Sequence, residues 1–129
     1  MQRRVRGNGW GEMAIASPNG NGRHALGARV SRHGRTAEIS LSGELDLADR
    51  GALRRVAAEA LADRRTEVLL VDMTAVTFFD SAVAHWLLEA HWQASAARTR
   101  VVALVADRDA RALLSLLGVA GVVTVVTAG

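Results

Sequence analysis

Three carboxylates sit where the chain leaves an apolar run. Asp46 follows Leu41-Ser42-Gly43-Glu44-Leu45, Asp72 follows Leu69-Leu70-Val71, and Asp80 directly precedes Ser81. Gathered at one end of a parallel sheet, three such groups would hold a divalent cation or move protons in catalysis. The companions that chemistry needs are missing. There is no Cys, and all 16 basic residues are Arg. Thiolates, Schiff bases and a phosphate-loop lysine are therefore excluded. No Gly-rich phosphate loop accompanies the acids. His85 and His91 stand six residues apart, about 240° round a helix, and cannot share a metal. His24 and His33 fall in a tail and a turn. His85 and Glu89 have the spacing of a helix-surface pair, worth roughly a few tenths of a kcal/mol. Cap and turn roles suit the three acids better than catalysis, so no metal and no cofactor is expected.

The elements that must position these residues appear in the hydrophobic pattern. Residues 28–31 and 36–41 flank His33-Gly34, which reads as a hairpin turn. In the second arm Ala37, Ile39 and Leu41 alternate with Glu38 and Ser40, the period of a strand with one buried face. Residues 43–46 then break the strand. Leu53, Val56, Ala57, Ala60 and Leu61 recur at helical spacing. Residues 68–71 and 101–105 are continuous apolar runs of the kind buried on both faces of a parallel sheet. Between them Val83, Trp86, Leu87, Ala90 and Ala94 form one stripe of a helix over residues 81–97, which makes Trp86 a packing residue. Trp92 falls off that stripe and Trp10 lies near the start; either would serve as an exposed anchor. Asp107 reads as the N-cap of a short helix to Leu117, Gly118 as its C′ glycine, and residues 122–126 as a last strand. The order is that of an α/β domain. Its sheet is mixed and mostly parallel, of about five strands in alternation with helices, with the N-terminal hairpin at the edge.

Charge divides the chain. Residues 1–35 hold seven Arg and one acid, a balance of +6, while residues 36–129 hold nine Arg and twelve acids, a balance of −3. A mildly acidic domain is a poor nucleic-acid binder, and the basic part lacks a dense run. Residues 1–27 are rich in Gly and Asn, and Ser17-Pro18-Asn19-Gly20-Asn21-Gly22 is linker chemistry. They are expected to form a disordered Gly/Arg-rich tail, with some order near residues 13–16, ahead of a domain over residues 28–129. No stretch approaches the roughly 20 apolar residues of a spanning helix, so a soluble, cytoplasmic protein is expected.

Two motifs are more specific. Leu41-Ser42-Gly43-Glu44-Leu45-Asp46 runs from a strand into a loop and helix. Leu70-Val71-Asp72-Met73-Thr74-Ala75-Val76-Thr77-Phe78-Phe79-Asp80-Ser81 leads a buried strand to an Asp-Ser helix start. In spacing and order, over roughly residues 28–126, these resemble the STAS family of sulfate transporters and anti-sigma factor antagonists. The resemblance implies a module with no active site of its own. Many such domains bind a serine-kinase anti-sigma factor, which phosphorylates a hydroxyl at the start of the second helix and thereby breaks the complex. By this resemblance the partner surface comprises Gly43, Glu44, Asp46, Asp80, Ser81, Ala82 and Val83. A hydroxyl at a helix N-terminus is well placed for such control, because unpaired N–H groups there receive the added charge of about −1.5 to −2.

This chain departs from the family pattern Asp-Ser-Ser/Thr-Gly-Leu, reading Asp80-Ser81-Ala82-Val83-Ala84. The acceptor position carries Ala82, so phosphorylation there is chemically excluded. Ser81 is the neighbouring candidate, about 100° round the helix. The family also commonly carries one more helix after the final strand. An unswitched anti-sigma factor antagonist is the first expectation. A STAS subunit gripping the ATPase of a lipid-transport ABC complex is the alternative, and an enzyme using the clustered carboxylates is a distant third. Leu113, Leu114, Leu116 and Leu117 exceed what one helix face needs, and an exposed patch there would support a homodimer.

Overall fold

A computed structural model describes residues 2–4, 12–14 and 26–128. Seven strands lie side by side in sequence order. β1 (Gln2–Arg4), β2 (Glu12–Ala14), β3 (Leu26–His33) and β4 (Thr36–Leu45) pair antiparallel. From β4 onward the pairing is parallel, through β5 (Val68–Phe79), β6 (Arg100–Val105) and β7 (Thr124–Thr127). Helices α1 (Arg50–Leu61), α2 (Ser81–Ala96) and α3 (Arg108–Leu116) fill the three crossovers, with a one-turn 3-10 helix, Leu47–Asp49, ahead of α1. The mixed sheet of β3 to β7 is the one the pattern implies. β1 and β2 extend it from the segment expected as a tail. Leu26 and Gly27 of that segment open β3, and its other residues, Trp10, Pro18 and His24 among them, lie outside the described residues.

The core is one layer deep. Ala28 and Val30 of β3, Ala37, Ile39 and Leu41 of β4, Leu69, Val71 and Met73 of β5, and Val101, Ala103 and Val105 of β6 alternate with half-buried or exposed residues. They share a single cluster with the buried faces of all three helices. The expectation that residues 68–71 and 101–105 are buried on both faces is therefore corrected. Leu70, Val102 and Leu104 are only half-buried and Val126 is exposed. The reason is topological. Every crossover steps the same way along the sheet, and right-handed crossovers that never reverse direction place all their helices on one face.

Nor does β4 break at Gly43. It runs to Leu45, and β5 runs past Asp72 to Phe79. The 10 residues of β4 face the 12 of β5 because the ladder shifts register twice, between Ser40 and Ser42 and again between Gly43 and Glu44. Gly43 sits at the second shift with φ of 87°, a conformation that costs a residue with a Cβ.

The ends of α2 and α3 close alike. At the end of α3, Val119 N–H donates to the Leu114 carbonyl (2.9 Å) and Gly118 N–H to Ser115 (3.1 Å). This is the Schellman arrangement, with Gly118 in the left-handed region as expected. At the end of α2, Thr99 N–H reaches Ala94 (2.8 Å) and Arg98 N–H reaches Ser95 (3.0 Å). Here the left-handed residue is Arg98, with φ of 60°, at a cost of about 1 kcal/mol.

Trp86 joins α2 to α1. It is 1% exposed, and its Nε1–H donates to the Leu53 carbonyl at 2.9 Å inside the core. Trp92 is 62% exposed. Replacing Trp86 with Phe removes both the donor and packed volume, and is expected to cost about 1–3 kcal/mol by urea unfolding. Trp92→Phe is expected to change stability by less than about 0.5 kcal/mol.

Candidate functional site

The last rungs of the β4–β5 ladder are Glu44 opposite Phe78 and Leu45 opposite Phe79. Asp46 and Asp80 therefore follow side by side, and each starts a helical segment. The Asp46 carboxylate accepts from Ala48 N–H (2.9 Å), while its own N–H donates to Asp49 Oδ2 (3.0 Å), a reciprocal box. The Asp80 carboxylate accepts from Ala82 N–H at 2.9 Å, with extended backbone at the cap. Asp72 does not join them. Because β5 continues, Asp72 lies roughly 20–25 Å from Asp80. Its carboxylate closes a local turn instead, accepting from Thr74 N–H (2.9 Å) and Thr74 Oγ1–H (2.7 Å). The expectation that three acids converge is thus corrected to two. Among the described residues, no group of three His, Asp or Glu is placed to hold a metal.

Around these caps the surface is mixed. Glu44 and Ser81 are exposed, Gly43, Asp46, Asp80 and Ala82 are half-buried, and Val83 is fully buried with Ala84. Val83 belongs to the core rather than to the surface the sequence assigned it, because α2 turns that face onto the sheet. Two exposed apolar side chains were not foreseen: Leu47, 62% exposed, and Phe78, 54% exposed. Phe78 and Phe79 are neighbours on one strand, so the pleat that buries Phe79 turns Phe78 outward. Beyond Asp72, β5 has β4 on one side only, since its pairing with β6 stops at Asp72–Leu104. The opened side forms an apolar cavity of about 300 Å³ lined by Val76, Phe78, Val105, Ala110 and Leu113, with Asp107 and Asp109 at α3. Of the four leucines over residues 113–117, Leu114 is buried and Leu117 packs on the core, while Leu113 and Leu116 are exposed.

An ion-pair clamp fastens α1 to α2 behind this surface. Arg54 meets the Glu89 carboxylate with two donors (2.7 and 3.3 Å), and Arg50 approaches it at 3.5 Å. The expected pairing of Glu89 with His85 is not made, since two Arg from the facing helix reach the acid first. The hydrogen bond from Arg54 holds the Glu89 carboxyl below its ordinary value.

Two measurements test this framework. Asp80→Ala removes the α2 cap and is expected to cost about 1 kcal/mol, with Ser81→Ala within about 0.5 kcal/mol of wild type by thermal unfolding. A depressed carboxylate stabilises the fold above its unfolded value and loses that contribution as pH falls through the folded one. Glu89→Gln is therefore expected to approach wild type as pH falls below the ordinary carboxylate range. It should be less stable above about pH 5, by no more than about 1 kcal/mol for so exposed a pair.

Comparison with known proteins agrees with the geometry. The family model described as Mlab, STAS domain, matches residues 28–127. The fold is similar to an anti-sigma factor antagonist from Mycobacterium paratuberculosis, at 20% identity and a TM-score of 0.70, over 87% of this chain and 90% of that one. Unphosphorylated SpoIIAA, an anti-sigma factor antagonist, is similar at 19% identity and a TM-score of 0.58, covering 69% and 82% of the two chains. The phosphorylated form of this Bacillus cell fate determinant gives 18% and 0.61, covering 79% and 91%. A search of curated protein sequences finds no match. With a parallel ladder ending at two capped helix starts, and a family match over residues 28–127, this chain belongs to the STAS domain family.

Proposed function

We propose that this protein is a docking module without catalytic apparatus of its own, an antagonist of a serine-kinase-type anti-sigma factor that is not switched by phosphorylation. The observation that carries the reading is the start of α2. Its N-terminus is capped by Asp80 and Ser81 is exposed, yet the next residue, Ala82, offers a methyl group where a phosphoacceptor would need a hydroxyl. The docking surface in this reading is Glu44, Asp46, Asp80, Ser81 and Ala82, with Leu47 and Phe78 as apolar anchors. Gly43 shapes the bulge beneath it, and Val83 supports it from the core. Ser81 remains unmodified, because its hydroxyl lies about 100° away from the neighbouring acceptor position.

Ala82 favours a second reading as well. A STAS subunit that grips the ATPase of a lipid-transport ABC complex has no need of a phosphoacceptor. Purification of the tagged protein from its own host, followed by mass spectrometry, separates the two. A kinase-fold anti-sigma factor is expected under the first reading, and a transporter ATPase under the second.

With the anti-sigma factor in hand, the complex is expected to persist on incubation with ATP, with no phosphate on this chain. Ala82→Ser restores the hydroxyl and is expected to make the complex dissociate on ATP addition. Glu44→Arg, an exposed change of charge, is expected to weaken binding by about tenfold or more.

A further inference from the structure

The opposite end of the sheet, where the parallel strands begin, carries a second cavity. It has a volume of about 410 Å³, and its walls are the last turns of α2, the turn into β6 and the start of β7. His91 and Ser95 line it from α2, Arg98 and Arg100 from the turn and β6, and Thr124 from β7. Both arginines are exposed, and among the described residues no acid pairs with either guanidinium. The nearest acid along the strand starts is Glu67, whose backbone carbonyl accepts from Arg100 N–H. Its carboxylate is already held by Arg35 at 3.0 Å.

We propose that this cavity is a binding site for a phosphate-type anion. Arg98, Arg100, His91, Ser95 and Thr124 line it, carrying more donors than one carboxylate can use and suited to a multiply charged tetrahedral group. The position of the arginines is built. Thr99, between them, is 4% exposed and donates its hydroxyl to the Thr66 carbonyl at 2.8 Å, fixing the turn from which both side chains leave. Arg98 also occupies the left-handed position that α3 fills with Gly118. A glycine would take that conformation without strain, so the arginine is kept at a cost in stability. Free phosphate or pyrophosphate and the phosphate of a lipid headgroup share this chemistry. Trp92 and Val122, both exposed, stand next to the cavity in the chain or in its wall.

The test uses the full chain at constant ionic strength. Inorganic pyrophosphate is titrated while backbone amides of residues 91–101 and 122–124 are followed by NMR. Flotation with phosphatidylcholine vesicles, with and without phosphatidylglycerol, runs in parallel. Saturable shifts confined to these amides, weakened about tenfold or more in Arg100→Gln, support a site for soluble phosphates. Flotation with the anionic vesicles alone, lost in Arg100→Gln, supports the headgroup as the source. Arg98→Gly is the decisive variant: it is expected to raise the thermal midpoint by about 2–5 °C and yet to lose binding, which a purely structural arginine would not do. Absence of both kinds of binding overturns the proposal, and so does binding that persists unchanged in Arg98→Gly and Arg100→Gln.

Discussion

The parallel ladder between β4 and β5 sets the geometry on which the rest of this fold depends. It is the longest pairing in the sheet, running from Thr36–Val68 to Leu45–Phe79. Its two register shifts let 12 residues finish level with 10. Because both strands end on the same rung, the 3-10 helix after Asp46 and α2 after Asp80 begin side by side. Everything proposed for the docking surface follows from that alignment: the exposed Glu44, the two Asp caps, and the apolar pair Leu47 and Phe78. Had the strands ended at Gly43 and Asp72, Phe78 would have no rung opposite Glu44.

The same topology sorts charge along the molecule. In a run of right-handed strand-helix-strand units, every helix starts at the end where the parallel strands finish, and ends where they start. Helix starts need acceptors and favour negative charge; helix ends favour cations. Asp46, Asp80 and Asp107 cap the starts, while Arg64, Arg65, Arg98 and Arg100 follow the ends of α1 and α2, with Arg65 held by Asp63. The acidic surface and the arginine-lined cavity thus lie at opposite ends of one sheet. An anion in the cavity would leave the docking surface uncovered.

Much of this was legible in the residues. Amphipathic spacing located α1 and α2 and marked Trp86 as core, and Asp80, Asp107 and Gly118 perform the cap roles that their types and positions suggest. Those signals are local: a 3.6-residue period and the hydrogen-bonding habits of Asp and Gly act within a few residues of sequence. Misreadings arose where a local signal met a distant neighbour. Gly43 looked like a strand breaker, but pairing on both sides carries it through as a bulge. Asp72 looked like a strand end, but β4 holds β5 straight for seven residues more. Glu89 was matched to His85 on its own helix, although two Arg of the facing helix hold it.

By itself, the sequence determined the order of strands and helices from β3 to β7, the caps at which α2 and α3 start, and that position 82 has no hydroxyl to modify. Those properties reside in side-chain chemistry and short-range periodicity. Tertiary structure decided the rest: that all three helices share one face, that Val83 turns inward while Leu47 and Phe78 turn out, and that Arg98 and Arg100 open onto one cavity with Thr124. Each depends on which strands pair and on their register. That choice is made by buried contacts between residues about 30 positions or more apart, where sequence spacing carries no record of proximity.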